Sequence, residues 1–180
     1  IIDKILHNLS PASVVQLKPL NRFFNCLAST YIARVWDWNK FMRRIVPNPE
    51  SFRDILMQTQ AIVSGSQTTQ FFSRTEYPQS DCDVYVEPHG LIHLGQWLEH
   101  NGFIFRRKRS QHFSFKIAAL TAIYRSELYR KPPVHYGATP IIDVYLFEHS
   151  DAGPSHKIPI QVIAVGIKPI DCVLRFHSSK

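Results

Sequence analysis

Cysteine is scarce in this 180-residue chain. Cys26, Cys82 and Cys172 are the only three, dispersed and in no CxxC pair, which argues against a disulfide scaffold and against a structural zinc site. Long apolar runs are missing too. None reaches the ~18–20 residues that a membrane-spanning helix needs, so no membrane partner is expected. There is no internal repeat and no low-complexity segment. An initiator Met and a signal-peptide pattern are also lacking, and the expectation is an excerpt of a longer cytoplasmic or nuclear protein. Acidic side chains are in the minority, 14 against 21 basic ones, for a net charge of +7. That balance hints at an anionic partner but speaks to association and not to fold. What remains is a chain 44% hydrophobic, rich enough in apolar residues to fold as one ordinary domain, or as a small helical module plus one compact domain.

The first 45 residues read as short helices. Ile2, Ile5, Leu6 and Leu9 fall at helical spacing. Ser10-Pro11 stops that helix and opens another, with Ser10 as N-cap and Pro11 at the first helical position. After Pro19, Leu20, Phe23, Phe24, Leu27 and Tyr31 form a second stripe. Pro47-Asn48-Pro49-Glu50 breaks the pattern and marks the expected boundary, with a helical module at 1–46 and an α/β domain at 47–180. In the second part, helical patterns around Phe52–Leu56, Gln67–Phe72 and Gly90–Asn101 alternate with strand-like Ala61–Val63, Asp81–Val86 and Phe103–Arg107. Ile117–Tyr129 is ambiguous. Ile141–Phe147 and Ile158–Val165 read as a hairpin about the turn Asp151–Ser155, and Pro169 opens a final helix. The expected class is therefore α/β (α+β), a mixed sheet with flanking helices behind a small helical module.

The stretch richest in chemistry is Val63-Ser64-Gly65-Ser66, followed by Asp81-Cys82-Asp83-Val84-Tyr85-Val86. Side chains alternate along a strand, so Asp81 and Asp83 share a face, roughly 7 Å apart, and Cys82 points into the core. Two such carboxylates repel unless a divalent cation sits between them. Mg²⁺ suits hard oxygen ligands, keeping some waters and completing its shell from phosphate. A Gly-Ser between strand and helix supplies close backbone approach, a hydroxyl and free amides, which is what phosphate needs.

AIVSGS, a helix, the loop RTEYPQS and DCDVYV resemble the nucleotidyltransferase fold of the polymerase-beta type, and GLIHLGQWLEHNGFIF fits its next helix and strand. The resemblance covers roughly residues 50–175. It implies phosphate contacts at Gly65 and Ser66, metal ligation at Asp81 and Asp83, and a bound NTP with Mg²⁺. A third carboxylate on a later strand belongs to that pattern. Asp143 in PIIDVYLF is one candidate. The alternative is that the position falls on KIPIQVIAV, where Gln161 stands. Gln can hydrogen-bond but cannot neutralise a metal or take a proton at neutral pH. With Asp81, Asp83 and Asp143 as the catalytic set, the chain would be a Mg²⁺-dependent enzyme transferring a nucleotidyl group to a hydroxyl. With Gln161 it would be degenerate, and the reading leans that way.

IIDKILHNLSPASVVQLKPLNRFFNCLASTY resembles an F-box, truncated at its start. Ile5, Leu6, Leu9, Pro11, Val15 and Leu20 occupy the apolar positions by which that family docks the Skp-type adaptor of a cullin ubiquitin ligase, a helix-in-groove mode. These helices could instead only pack on the α/β domain. The order of the two modules, with a further motif at Arg175-Phe176-His177-Ser178, resembles a group of mushroom-type fungal proteins. The expected function is an F-box-type adaptor carrying a domain that binds nucleotide or target, with active nucleotidyl transfer as the alternative. The run Arg106-Arg107-Lys108-Arg109 offers a triphosphate contact through Arg107, or a nucleic-acid contact, or simply a solvated turn. His89 and His93 lack a third ligand in the sequence pattern and read as surface residues.

Overall fold

The computed structural model describes residues 1–77, 80–128, 140–150 and 158–177. Three helices come first: α1 (Ile2–Asn8), α2 (Pro11–Gln16) and α3 (Arg22–Val35). Short polar side chains start the latter two. Ser10 Oγ accepts from Ser13 N, and Asn21 Oδ1 accepts from Phe24 N, each at 3.0 Å, satisfying amides that have no partner inside the helix. Leu6, Val14, Ala28 and Tyr31 form a small core of their own.

Then follow α4 (Trp38–Met42), α5 (Pro49–Thr59), β1 (Ile62–Ser64), α6 (Ser66–Ser73), β2 (Cys82–Val86), α7 (Pro88–His100), β3 (Phe103–Arg106), α8 (Phe115–Leu128), β4 (Ile141–His149), β5 (Ile160–Val165) and α9 (Pro169–His177). Among the described residues the strands make one mixed sheet in the order β1-β2-β5-β4-β3. Only the central β2–β5 pair is parallel; the other neighbours are antiparallel. The expected α+β class with a mixed sheet and flanking helices is what the chain forms.

Strand alternation sorts the sheet into two faces. Cys82, Val84, Val86, Tyr145, Phe147, Ile160, Val162 and Ala164 point to one face and are fully buried, in a core shared with residues of α5, α7 and α8. Close packing there relies on Gly95 of α7, since a Cβ would overlap the Phe115 ring. The other face carries Ser64, Asp83, Tyr85, Gln161 and Ile163, in register across β1, β2 and β5. Ile163 and Val165 there share a small apolar cluster with Cys172 of α9.

The main core also takes in Met42, Ile45 and Val46, with Trp38 and Phe41 packed against it. The break in packing therefore precedes α4, earlier than the prolines suggested. Asn48 caps α5, accepting from Ser51 N at 3.0 Å, so Pro47 and Pro49 punctuate a continuous body. The strands expected as a hairpin do pair antiparallel; their turn at 151–155 lies outside the described residues. No described helix is long and apolar enough to cross a membrane.

Candidate functional site

The sheet face opposite the main core holds the carboxylate pair, and the local chain path explains why. β1 ends at Ser64, the chain turns at Gly65, and α6 begins at Ser66 with no side chain capping it. Gly65 has φ +74°, and a Cβ there would overlap Asp83 Oδ2. Glycine thus meets two demands together, a backbone conformation disfavoured for L residues and contact with a carboxylate. Ser66 Oγ donates to the Asp81 carbonyl at 3.4 Å. The turn, the helix start and the Asp81–Asp83 segment form one local unit.

Electrostatics follow from that geometry. Asp83 is half-buried, and burial, with the charge of Asp81 adding to it, raises its carboxyl from the ordinary 3.8 to about 6. Both causes penalise the anion. Cys82, between them, is fully buried with its thiol pushed up to about 12, chiefly by burial. It is a packing residue and no nucleophile.

Gln161 is brought to the pair, and Asp143 is not. Gln161 lies in register with Asp83 across the parallel β2–β5 ladder, and its Nε2 donates to Asp81 Oδ2. Asp143 pairs with Ala164, three residues beyond Gln161 on β5, so it projects from the opposite face and lies two strand spacings, roughly 10 Å, from β2. There its Oδ2 accepts from Gln111 Nε2 at 3.0 Å and its Oδ1 from Val144 N at 2.7 Å, with Lys108 Nζ 3.9 Å away. A three-carboxylate set of Asp81, Asp83 and Asp143 is not assembled. Arg107 is exposed just past β3, which stands at the far edge of the sheet, roughly 14 Å across the strands from β2. In the same basic run, Arg106 is spent on Glu148 at 2.7 Å.

Two anchors escaped the sequence reading. Gln67 Nε2 donates to Ser80 O at 3.0 Å and to Ser80 Oγ at 2.8 Å, and Gln70 Nε2 donates to Ser80 Oγ at 2.6 Å. Both glutamine carbonyls accept from Arg44, at 2.6 and 3.3 Å. This brace fixes the residue just before Asp81. At the other end of α6, Arg74 donates to Leu6 O, Leu9 O and Tyr31 Oη, tying the three N-terminal helices to the sheet domain. Gln67 and Gln70 at one helical turn's spacing, both buried, are a legible hint of an inward polar face. Arg74 gave no signal.

Of the expected docking residues, Ile5, Val15 and Leu20 are 54–62% exposed, as is Phe23, whereas Leu6 is only 2% exposed and belongs to the small core. Leu9 packs against that core, and Pro11 is exposed. Leu6 is therefore not on the surface: its register on α1 turns it inward against Val14 and Tyr31. His177 and Ser178 fall at or beyond the end of the described side chains.

The donor set can be weighed against the ions it would take. Two carboxylates on one face, one destabilised as an anion and packed against the Gly65 backbone, fit a single Mg²⁺ that draws its other ligands from water and phosphate. They do not fit a two-metal centre, because the third position offers an amide. Among the described residues no group of three His, Cys, Asp or Glu gathers as a metal cluster. Comparison of the chain with protein-family models, curated proteins and solved structures finds no match.

Proposed function

We propose that this chain is an F-box-type adaptor whose second part, a nucleotidyltransferase-like domain, holds a Mg²⁺-nucleotide without transferring it. The observation that carries the reading is Gln161, in register with Asp83 and bonded to Asp81. In this reading Asp81 and Asp83 hold the ion, while the backbone at Gly65 and the Ser66 hydroxyl meet the phosphate at the α6 N-terminus. An ion held there by Asp81 and Asp83 would supply the positive charge that offsets the pair. Transfer needs a further anionic group to activate the acceptor hydroxyl and support a second ion. An amide supplies neither, and Asp143, on the opposite face, is not positioned to substitute.

The docking half is supported by the division of labour within the helices. Leu6, Val14, Ala28 and Tyr31 close the inside, and Ile5, Val15, Leu20 and Phe23 stay exposed, an apolar surface of the kind that marks an interaction site. The partner in this reading is the Skp-type adaptor of a cullin ubiquitin ligase, which places the protein in the cytoplasm or nucleus. Co-elution with that adaptor in size-exclusion chromatography is the test. The wild type should form a 1:1 complex, and Val15→Glu with Leu20→Glu should abolish it while leaving the circular-dichroism melt unchanged. A wild type that elutes apart from the adaptor at micromolar concentration removes the docking half.

A further inference from the structure

α8 is apolar on two opposite faces, and among the described residues only one of them is covered. At 3.6 residues per turn, Ile117, Leu120, Tyr124 and Leu128 fall within about 80° of one another, and they are 46–62% exposed. Phe115, Ala118, Ala119, Ala122 and Ile123 lie on the other side, in or against the main core. A helix that is hydrophobic all round is ordinarily buried all round. The outer stripe runs the length of a 14-residue helix and is preceded by Phe113, 78% exposed. Its spacing of three and four residues is the ridge that a second helix packs along.

Charge indicates what would lie there. Lys116 borders the stripe on one side and Arg125 on the other, with Glu127 the one acid of the helix; Asp143, beside Ile117 and Arg125, is already held by Gln111 and Lys108, and the loop leading into α8 adds exposed Arg107 and Arg109. A second copy of this chain would set one basic border against another. We infer that the outer face of α8 docks an acidic amphipathic helix of a partner protein, with apolar side chains on the Ile117–Leu128 stripe and carboxylates toward Lys116, Arg125 and the 107–109 loop. This inference is independent of the nucleotide site and of the surface of α1–α3. In an adaptor it supplies the second surface, the one that selects what is brought to the ligase.

The test uses a fluorescein-labelled peptide of about three heptads, with Leu at the seam positions and Glu and Ala elsewhere, followed by anisotropy against the full chain. Saturable binding is expected, weakened by about tenfold or more in Leu120→Glu and in Tyr124→Glu, weakened by Arg125→Glu and by added salt, and unchanged in Ile5→Glu/Val15→Glu. All five substituted positions are exposed, and a melting curve for each variant checks the fold. Any of several results overturns the inference: no binding, equal binding of a scrambled peptide or of a Lys-for-Glu version, or loss only in Ile5→Glu/Val15→Glu. So does a dimer in sedimentation that Leu120→Glu dissociates, or binding to phosphatidylserine vesicles that it abolishes, since those assign the stripe to a second copy or to a membrane surface.

Discussion

Gly65 couples chain path to chemistry through one missing atom. Gly65→Ala must force a side chain into a φ of +74° and against Asp83 Oδ2; the expected cost is about 2–4 kcal/mol, read from urea unfolding, and loss of Mg²⁺-nucleotide binding. Asp83 gives a pH signature. Its folded carboxyl titrates near 6 against an ordinary 3.8, so between these values the native state holds a proton that the unfolded chain has released. Stability is then fullest below about pH 4 and falls as pH rises through about 6. Asp83→Asn should flatten that fall in urea midpoints measured without divalent ions; an unchanged slope would assign it to other groups. Gln161→Asp sets a third carboxylate beside the pair. It should lower stability by roughly 1–3 kcal/mol without divalent ions and regain it in millimolar Mg²⁺, with a larger rise in Tm than the wild type shows. At this scale, Asp81, Asp83, Gly65 and Ser66 were legible because strand alternation and a strand–turn–helix are local patterns. The choice between Asp143 and Gln161 was not local. It depends on which strand lies beside β2, and β5 is some eighty residues away along the chain.

Among elements, α6 is the strut of the molecule. Its start meets the carboxylate pair, its buried Gln67 and Gln70 hold Ser80, and Arg74 at its end reaches into the N-terminal helices. Arg74→Ala strands two backbone carbonyls and the Tyr31 hydroxyl, at an expected cost of about 2–4 kcal/mol. Hydrogen exchange should localise the damage, with faster exchange of α1 and α2 amides and unchanged protection in α7. Uniform acceleration would mean the two parts unfold as one. Helix starts were readable from Ser10-Pro11 and Pro169, where the signal is written in adjacent residues; Asn48-Pro49 starts α5 in the same way but read as a break. α8 was ambiguous for a physical reason, since apolar side chains on both faces erase the period that reveals a helix. The inward turn of Leu6 was hidden likewise, because Ile2, Ile5, Leu6 and Leu9 form one stripe in sequence of which only part is covered.

For the whole molecule, the α+β class followed from alternating patterns, while the strand order β1-β2-β5-β4-β3 did not, because no local signal records sheet neighbours. The prolines at 47 and 49 looked like a linker, yet Met42, Ile45 and Val46 on the near side join the main core. What results is a sheet domain with its main core on one face and the carboxylate pair, beside the α9 cluster, on the other, and a helical unit fastened to it by Arg74. The most direct measurement of what the carboxylate face does is isothermal titration of the chain with ATP and GTP, with and without Mg²⁺, beside the Asp81→Asn/Asp83→Asn double variant, each mixture then assayed for pyrophosphate. Metal-dependent binding lost in the double variant, with no pyrophosphate released, is the expected result. Absence of binding at millimolar nucleotide, or pyrophosphate release by the wild type, would contradict it.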